Sequence, residues 1–125
     1  MIGNSGPLLV GRGSLAVARG ELRDGGVAVI EVDLSGAEST WDVTMRLKSV
    51  LPFPDWCGAS WDSFDDAFEE LRQEVELPAA LIVDGLDGLL EHSRQVALET
   101  VVRLAELGTA FSIAGDQFVV LYLDG

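Results

Sequence analysis

Three apolar runs constrain this chain most. Val27–Leu34 (VAVIEVDL), Ala79–Val83 (AALIV) and Phe118–Leu123 (FVVLYL) are short, continuous and largely β-branched or aliphatic. Such runs suit strands covered on both faces, as in parallel sheets. The segments between them carry helical signals. Ser39 or Thr40 can cap a helix over residues 40 to 50 that is populated by Trp41, Val43, Met45, Leu47 and Val50. Pro52 and Pro54 break it. Ser60 opens a second helix, in which Trp61, Phe64, Phe68 and Leu71 fall at i, i+3, i+7 and i+10 as one apolar stripe. Asp84, Gly85, Asp87 and Gly88 read as a turn with room for a short helix after it. Arg94–Leu107 is the clearest helix, with Gly108 as its stop and Phe111–Ala114 as a short strand beyond. The alternation predicts an α/β domain with a small parallel sheet and right-handed crossovers. Residues 1–26 hold seven glycines and read as an irregular arm. Its patches Leu8–Val10 and Leu15–Ala18 are candidate short strands or a hairpin.

Charge narrows the function. The chain has 21 Asp+Glu against 8 Lys+Arg, a net charge of −13, so direct binding to nucleic acid or to an anionic membrane surface is opposed. A basic protein is the natural partner, and long-range attraction would speed its arrival. One cysteine, Cys57, excludes an intramolecular disulfide and fits a reducing compartment. The early apolar run Leu8–Val10 is too short for a signal peptide, and no run reaches the roughly 18 residues of a membrane span.

The segment Leu51–Leu71, LPFPDWCGASWDSFDDAFEEL, concentrates the candidate chemistry. It joins a Pro-broken aromatic loop to a helix whose outer side carries Asp62, Asp65, Asp66 and Glu69 at spacings of three and four. Repulsion disfavours such a face in isolation, so it is either a solvated surface or one built for a partner's cations. Clustered carboxylates also raise a Mg²⁺ or Ca²⁺ site, but the spacing matches no EF-hand loop and a helix splays its carboxylates. No dedicated metal and no cofactor are expected. A Cys57–His92 nucleophilic pair is conceivable, yet the flanking residues carry no catalytic signature. No Gly-Lys-Ser/Thr phosphate loop occurs. Trp61, Phe64 and Phe68 read as core, and Trp41 with them. Trp56 has no stripe to join: it is either an exposed interface anchor or packed over the helix ends.

Phe53-Pro54-Asp55-Trp56-Cys57-Gly58, followed by Ser60-Trp61-Asp62 and Asp65-Asp66, resembles the signature of the barstar family, small intracellular inhibitors of secreted barnase-type ribonucleases. The detailed match covers about twenty residues, and the element order matches from Val27 onward. The resemblance implies that Asp66 enters the nuclease's phosphate-binding pocket and that Asp62 makes a second contact. It implies that Gly58 lets the backbone approach the target and that Trp56 stands where Tyr usually covers the active site. Ser60 stands where Asn is frequent. Asp65 replaces a familiar Trp, Glu69 and Glu70 replace small residues, and Arg103 falls where a contact glutamate is used, with Glu99 and Glu106 one turn away. The tail from Thr109 exceeds the usual final strand, which predicts an added strand or hairpin.

The resulting expectation is a barstar-like α/β domain over 27–125. Its three-stranded parallel sheet has the first strand central, and the arm is a candidate for a further edge strand. The expected protein is a cytoplasmic, non-enzymatic, monomeric inhibitor that forms a 1:1 complex with a guanyl-specific ribonuclease through Trp56, Gly58, Ser60, Asp62, Asp65, Asp66 and Glu69. Two alternatives stand beside it: an immunity or interaction protein for a different basic toxin, and a metal-dependent hydrolase using the Asp cluster.

Overall fold

The computed structural model describes residues 8–124. The first residues of the Gly-rich arm, Gly3 and Gly6 among them, lie outside the described residues. Ten elements follow in order: β1 (Leu8–Gly11), α1 (Leu15–Asp24), β2 (Ala28–Asp33), α2 (Thr40–Val50), α3 (Trp61–Asp66), α4 (Phe68–Glu74), β3 (Ala79–Asp84), α5 (Leu86–His92), α6 (Arg94–Ile113) and β4 (Phe118–Asp124). A 3-10 turn, Arg12–Ser14, links β1 to α1.

The sheet has four parallel strands in the order β1-β4-β3-β2. This corrects the expected three strands, and it moves the Val27–Leu34 strand from the centre to an edge. The reason lies in the side chains. Residues 79–83 are uncharged and all buried, so β3 takes a neighbour on each side. Glu31 and Asp33 of β2 are exposed, which an edge strand tolerates and a central one does not.

From Leu8 onward the arm is not irregular, and Leu15–Ala18 is not a strand. Leu15, Ala18, Arg19 and Leu22 are the less exposed residues of α1, at i, i+3, i+4 and i+7, which is helical spacing. Because β1 pairs with β4 in parallel, no hairpin forms, and α1 serves as the connection from β1 to β2. Side chains alternate across the sheet. Ile30, Val32, Leu81, Val83, Phe118 and Tyr122 face the main core. Ala80, Ile82 and Leu123 are buried on the opposite face. The arm lies on that opposite face, tied by two bidentate pairs. Arg12 donates to both Asp84 oxygens at 2.6 and 3.2 Å, and Arg19 to both Glu31 oxygens at 2.6 and 2.9 Å.

Helix α6 runs through Gly108 to Ile113, so Gly108 is no stop and Phe111–Ala114 is no strand. Phe111 is fully buried, stacked on Phe118 (4.6 Å between centroids) and edge-on to Phe68 (5.0 Å). That packing outweighs the roughly 1 kcal/mol a mid-helix glycine costs. The helix ends at Gly115, whose φ is +88°. The longer helix consumes the tail, and among the described residues no added strand or hairpin forms there.

Helix α2 buries Val43, Thr44 and Leu47. Trp41 and Met45, one turn apart, point the other way, so Trp41 is exposed and not core as expected. Trp61 and Phe64 are buried, and Phe68 packs against the core while partly exposed.

Gly85 turns the chain from β3 into α5 at φ +86°, where an added Cβ would lie 2.4 Å from the Ser35 nitrogen. Gly85→Ala is expected to lower stability by roughly 3 kcal/mol or more. Gly88→Ala, inside α5 with open space around it, should raise it by about 0.5–1 kcal/mol; urea unfolding measures both. Hydrogen bonding from Arg12, against some desolvation, holds the Asp84 carboxyl below its ordinary value. This contribution is fully present above the unfolded value of about 4 and is lost as pH falls through the folded value. Between pH 7 and about pH 3, wild type should therefore lose more stability than Asp84→Asn in the same assay.

Candidate functional site

The site is built on the loop between α2 and α3. After Pro52 ends α2, the loop turns where the Cys57 N–H donates to the Pro54 carbonyl at 3.0 Å. The Cys57 side chain points inward, with its thiol directed at the carbonyls of Gly58 (3.4 Å) and Ser63 (3.6 Å). Burial raises its pKa, so the thiol is held protonated and serves packing. His92 is exposed at the last position of α5 and is not among the thiol's partners. Trp56, the preceding residue, points outward and is 61% exposed.

Packing and hydrogen bonds fix this loop to the helices on either side. Phe53 stacks on Phe64 at 4.2 Å and 11° between ring planes, and Trp61 meets Phe64 edge-on at 5.7 Å. The buried Thr44 hydroxyl lies 3.0 Å from the Ala59 carbonyl, joining α2 to the residue before the cap. Ser60 caps α3: its Oγ accepts from the Ser63 N–H at 3.0 Å and lies 2.9 Å from the Ser63 hydroxyl. Gly58 is exposed, and a Cβ there would come within 3.1 Å of the Ser63 Oγ and crowd that arrangement.

The acidic helix expected from Ser60 onward is two helices. The chain breaks at Ala67, which is fully buried with φ −95° and ψ 8°. Asp62, Asp65 and Asp66 sit on α3, exposed, while Glu69 sits on α4. The break sorts these carboxylates. Glu69 is paired with Arg72 (3.2 Å), which also binds Asp116 (3.0 Å). Asp65 faces Arg103 of α6 at 3.9 Å, and Arg103 also lies 3.6 Å from Glu106. Glu99 accepts from the Thr40 hydroxyl at 2.8 Å. Among the described residues, Asp62 and Asp66 have no ion-pair partner, so they are the carboxylates open to an incoming cation.

Of the residues expected at the site, Trp56, Gly58 and Ser60 lie on the loop, Asp62, Asp65 and Asp66 on α3, and Glu69 on α4, but sequence reasoning did not reach the neighbours of these residues. It did not show that Arg103 crosses to Asp65, that Thr44 clamps Ala59, or that Glu70 turns one oxygen inward without a partner beside Pro54 and Asp55. These depend on packing between elements distant in sequence. Among the described residues, no three His, Cys, Asp or Glu side chains converge as a metal site, since α3 fans its carboxylates outward.

The family model described as Barstar (barnase inhibitor) matches residues 27–122. No curated protein matches the chain significantly.

Because Ser60 satisfies the first-turn N–H of a six-residue helix, Ser60→Ala should lower stability by about 1 kcal/mol, measured by chemical denaturation. An unchanged midpoint would mean that burial of Trp61 and Phe64 alone fixes α3.

Proposed function

This chain belongs to the barstar family, and we propose that it is a cytoplasmic inhibitor of a secreted, guanyl-specific ribonuclease of the barnase type. The observation that carries this reading is the pair Asp62 and Asp66. They are exposed, four residues apart on α3, and without a cation partner among the described residues, while the apolar side of the same helix is anchored by buried Trp61 and Phe64. A ribonuclease site gathers cations to hold the RNA phosphate. A rigid carboxylate offered at that point takes the place of the phosphate and occludes the site. Trp56 supplies apolar area beside it, and the uncovered backbone at Gly58 allows close approach. The net charge of −13 accelerates encounter with a basic enzyme and makes it sensitive to salt. The proposed complex is 1:1 and needs no cofactor and no catalytic group on this chain.

One observation favours a second reading. Arg103 stands beside Asp65 and adds a cation to the rim of the acidic face. That suits an immunity protein for a different basic toxin, one whose surface offers an acceptor opposite α6.

Asp66→Ala is expected to weaken inhibition of a barnase-type ribonuclease by about 3–5 kcal/mol, because it leaves the enzyme's cations buried without a partner. Inhibition constants of wild type and variant measure this. A loss below about 1 kcal/mol would make Asp66 a rim charge and remove it from the centre of the contact.

A further inference from the structure

Two of the three tryptophans are exposed. Trp41 and Trp56 are each 61% exposed, and Met45, one helical turn from Trp41, is 41% exposed. A single exposed apolar side chain needs no explanation. Here the elements that carry these three meet. The Thr44 hydroxyl lies 3.2 Å from the Trp41 carbonyl and 3.0 Å from the Ala59 carbonyl, so the start of α2 abuts the residue before the α3 cap. Met45 lines a shallow groove with Phe53, Pro54 and Asp55, and Asp55 is followed directly by Trp56. The helix that carries Trp41 and Met45 thus abuts the N-terminal end of α3, and Met45 lines the groove that ends at the residue before Trp56.

The charge around these residues is mostly negative. Asp42 and Glu38 flank Trp41, joined by the Glu38 N–H donating to an Asp42 oxygen at 2.9 Å. Glu99 is held beside them by the Thr40 hydroxyl. Asp55 precedes Trp56 and shares the groove with Lys48, the cation on that side. Exposed indole faces set among carboxylates suit arginine, whose guanidinium stacks on the ring while its charge is met at the edge.

We propose that Trp41 and Met45 form a second docking platform, on the helix that abuts the start of the acidic helix, and that it receives an arginine-bearing surface of the basic ribonuclease outside its active site. This rests on the inhibitor reading and adds to it a contact that does not touch the catalytic cleft. The platform acts on residence time, because packing against an indole slows dissociation more than it speeds encounter.

The test is binding kinetics of wild type, Trp41→Ala, Trp41→Leu and Asp66→Ala against a purified guanyl-specific, barnase-type ribonuclease, with circular dichroism to verify folding. Trp41→Ala should bind about tenfold more weakly or worse, through faster dissociation. Trp41→Leu, which keeps apolar bulk without the indole face, should recover only part of the loss. Trp41→Ala within about twofold of wild type, alongside a loss of about a hundredfold or more in Asp66→Ala, would overturn the platform and leave the inhibitor reading standing. Absence of binding by wild type would overturn the inhibitor reading, and the platform with it.

Discussion

The packing of Phe64 between Phe53 and Trp61 is the interaction on which the acidic face depends. A six-residue helix is too short to hold itself in water. Its exposed side adds like charges at i,i+3 and i,i+4, each pair opposing the helix by about 0.2–0.5 kcal/mol. Burial of Trp61 and Phe64 supplies about 1.5–3 kcal/mol each, which settles the contest in favour of the helix. The face is therefore formed before any partner arrives, and a partner need not order it on binding. The same stack carries the loop, since Phe53 belongs to the segment that presents Trp56 and Gly58.

Behind this surface, the sheet is held from both sides. The main core packs α2 to α6 against one face, with Leu81 and Val83 of β3 at its centre. Residues 8–26, which lie ahead of the family match, add β1 to one edge and place α1 against the opposite face. Arg12 and Arg19 hold this addition at Asp84 and Glu31, carboxylates that point away from the main core. Trp56 and the α3 carboxylates lie on elements of the other layer, so the arm supports the sheet and leaves the acidic face uncovered.

Much of this was legible in the sequence where the signal is local. Uninterrupted apolar runs mark β3 and β4 nearly to the residue and capping chemistry marks α2 and the start of α3, while the absence of a stripe partner left Trp56 either exposed or packed over the helix ends, and the structure exposes it. Trp41 could have been placed correctly from spacing alone, since it is out of phase with Val43 and Leu47 and in phase with Met45. The misreadings came where glycine was taken as punctuation. Gly20 lies inside α1, and Gly108 lies inside α6, where the buried Leu104 and Phe111 on either side carry the helix past it. Strand order and the Arg103–Asp65 contact depend on groups far apart in sequence, and the break at Ala67 falls at a fully buried residue. Local patterning does not encode them, although Glu31 and Asp33 already marked β2 as a strand that tolerates an edge.

The central claim is that a preformed acidic face occludes the active site of a basic ribonuclease. The most direct test is to titrate a fixed amount of a purified guanyl-specific, barnase-type ribonuclease with this protein at low and at physiological salt, following RNA cleavage. The account predicts complete inhibition with an endpoint at one equivalent, and weaker inhibition as salt rises. Undiminished cleavage at several equivalents across a set of such enzymes would contradict it.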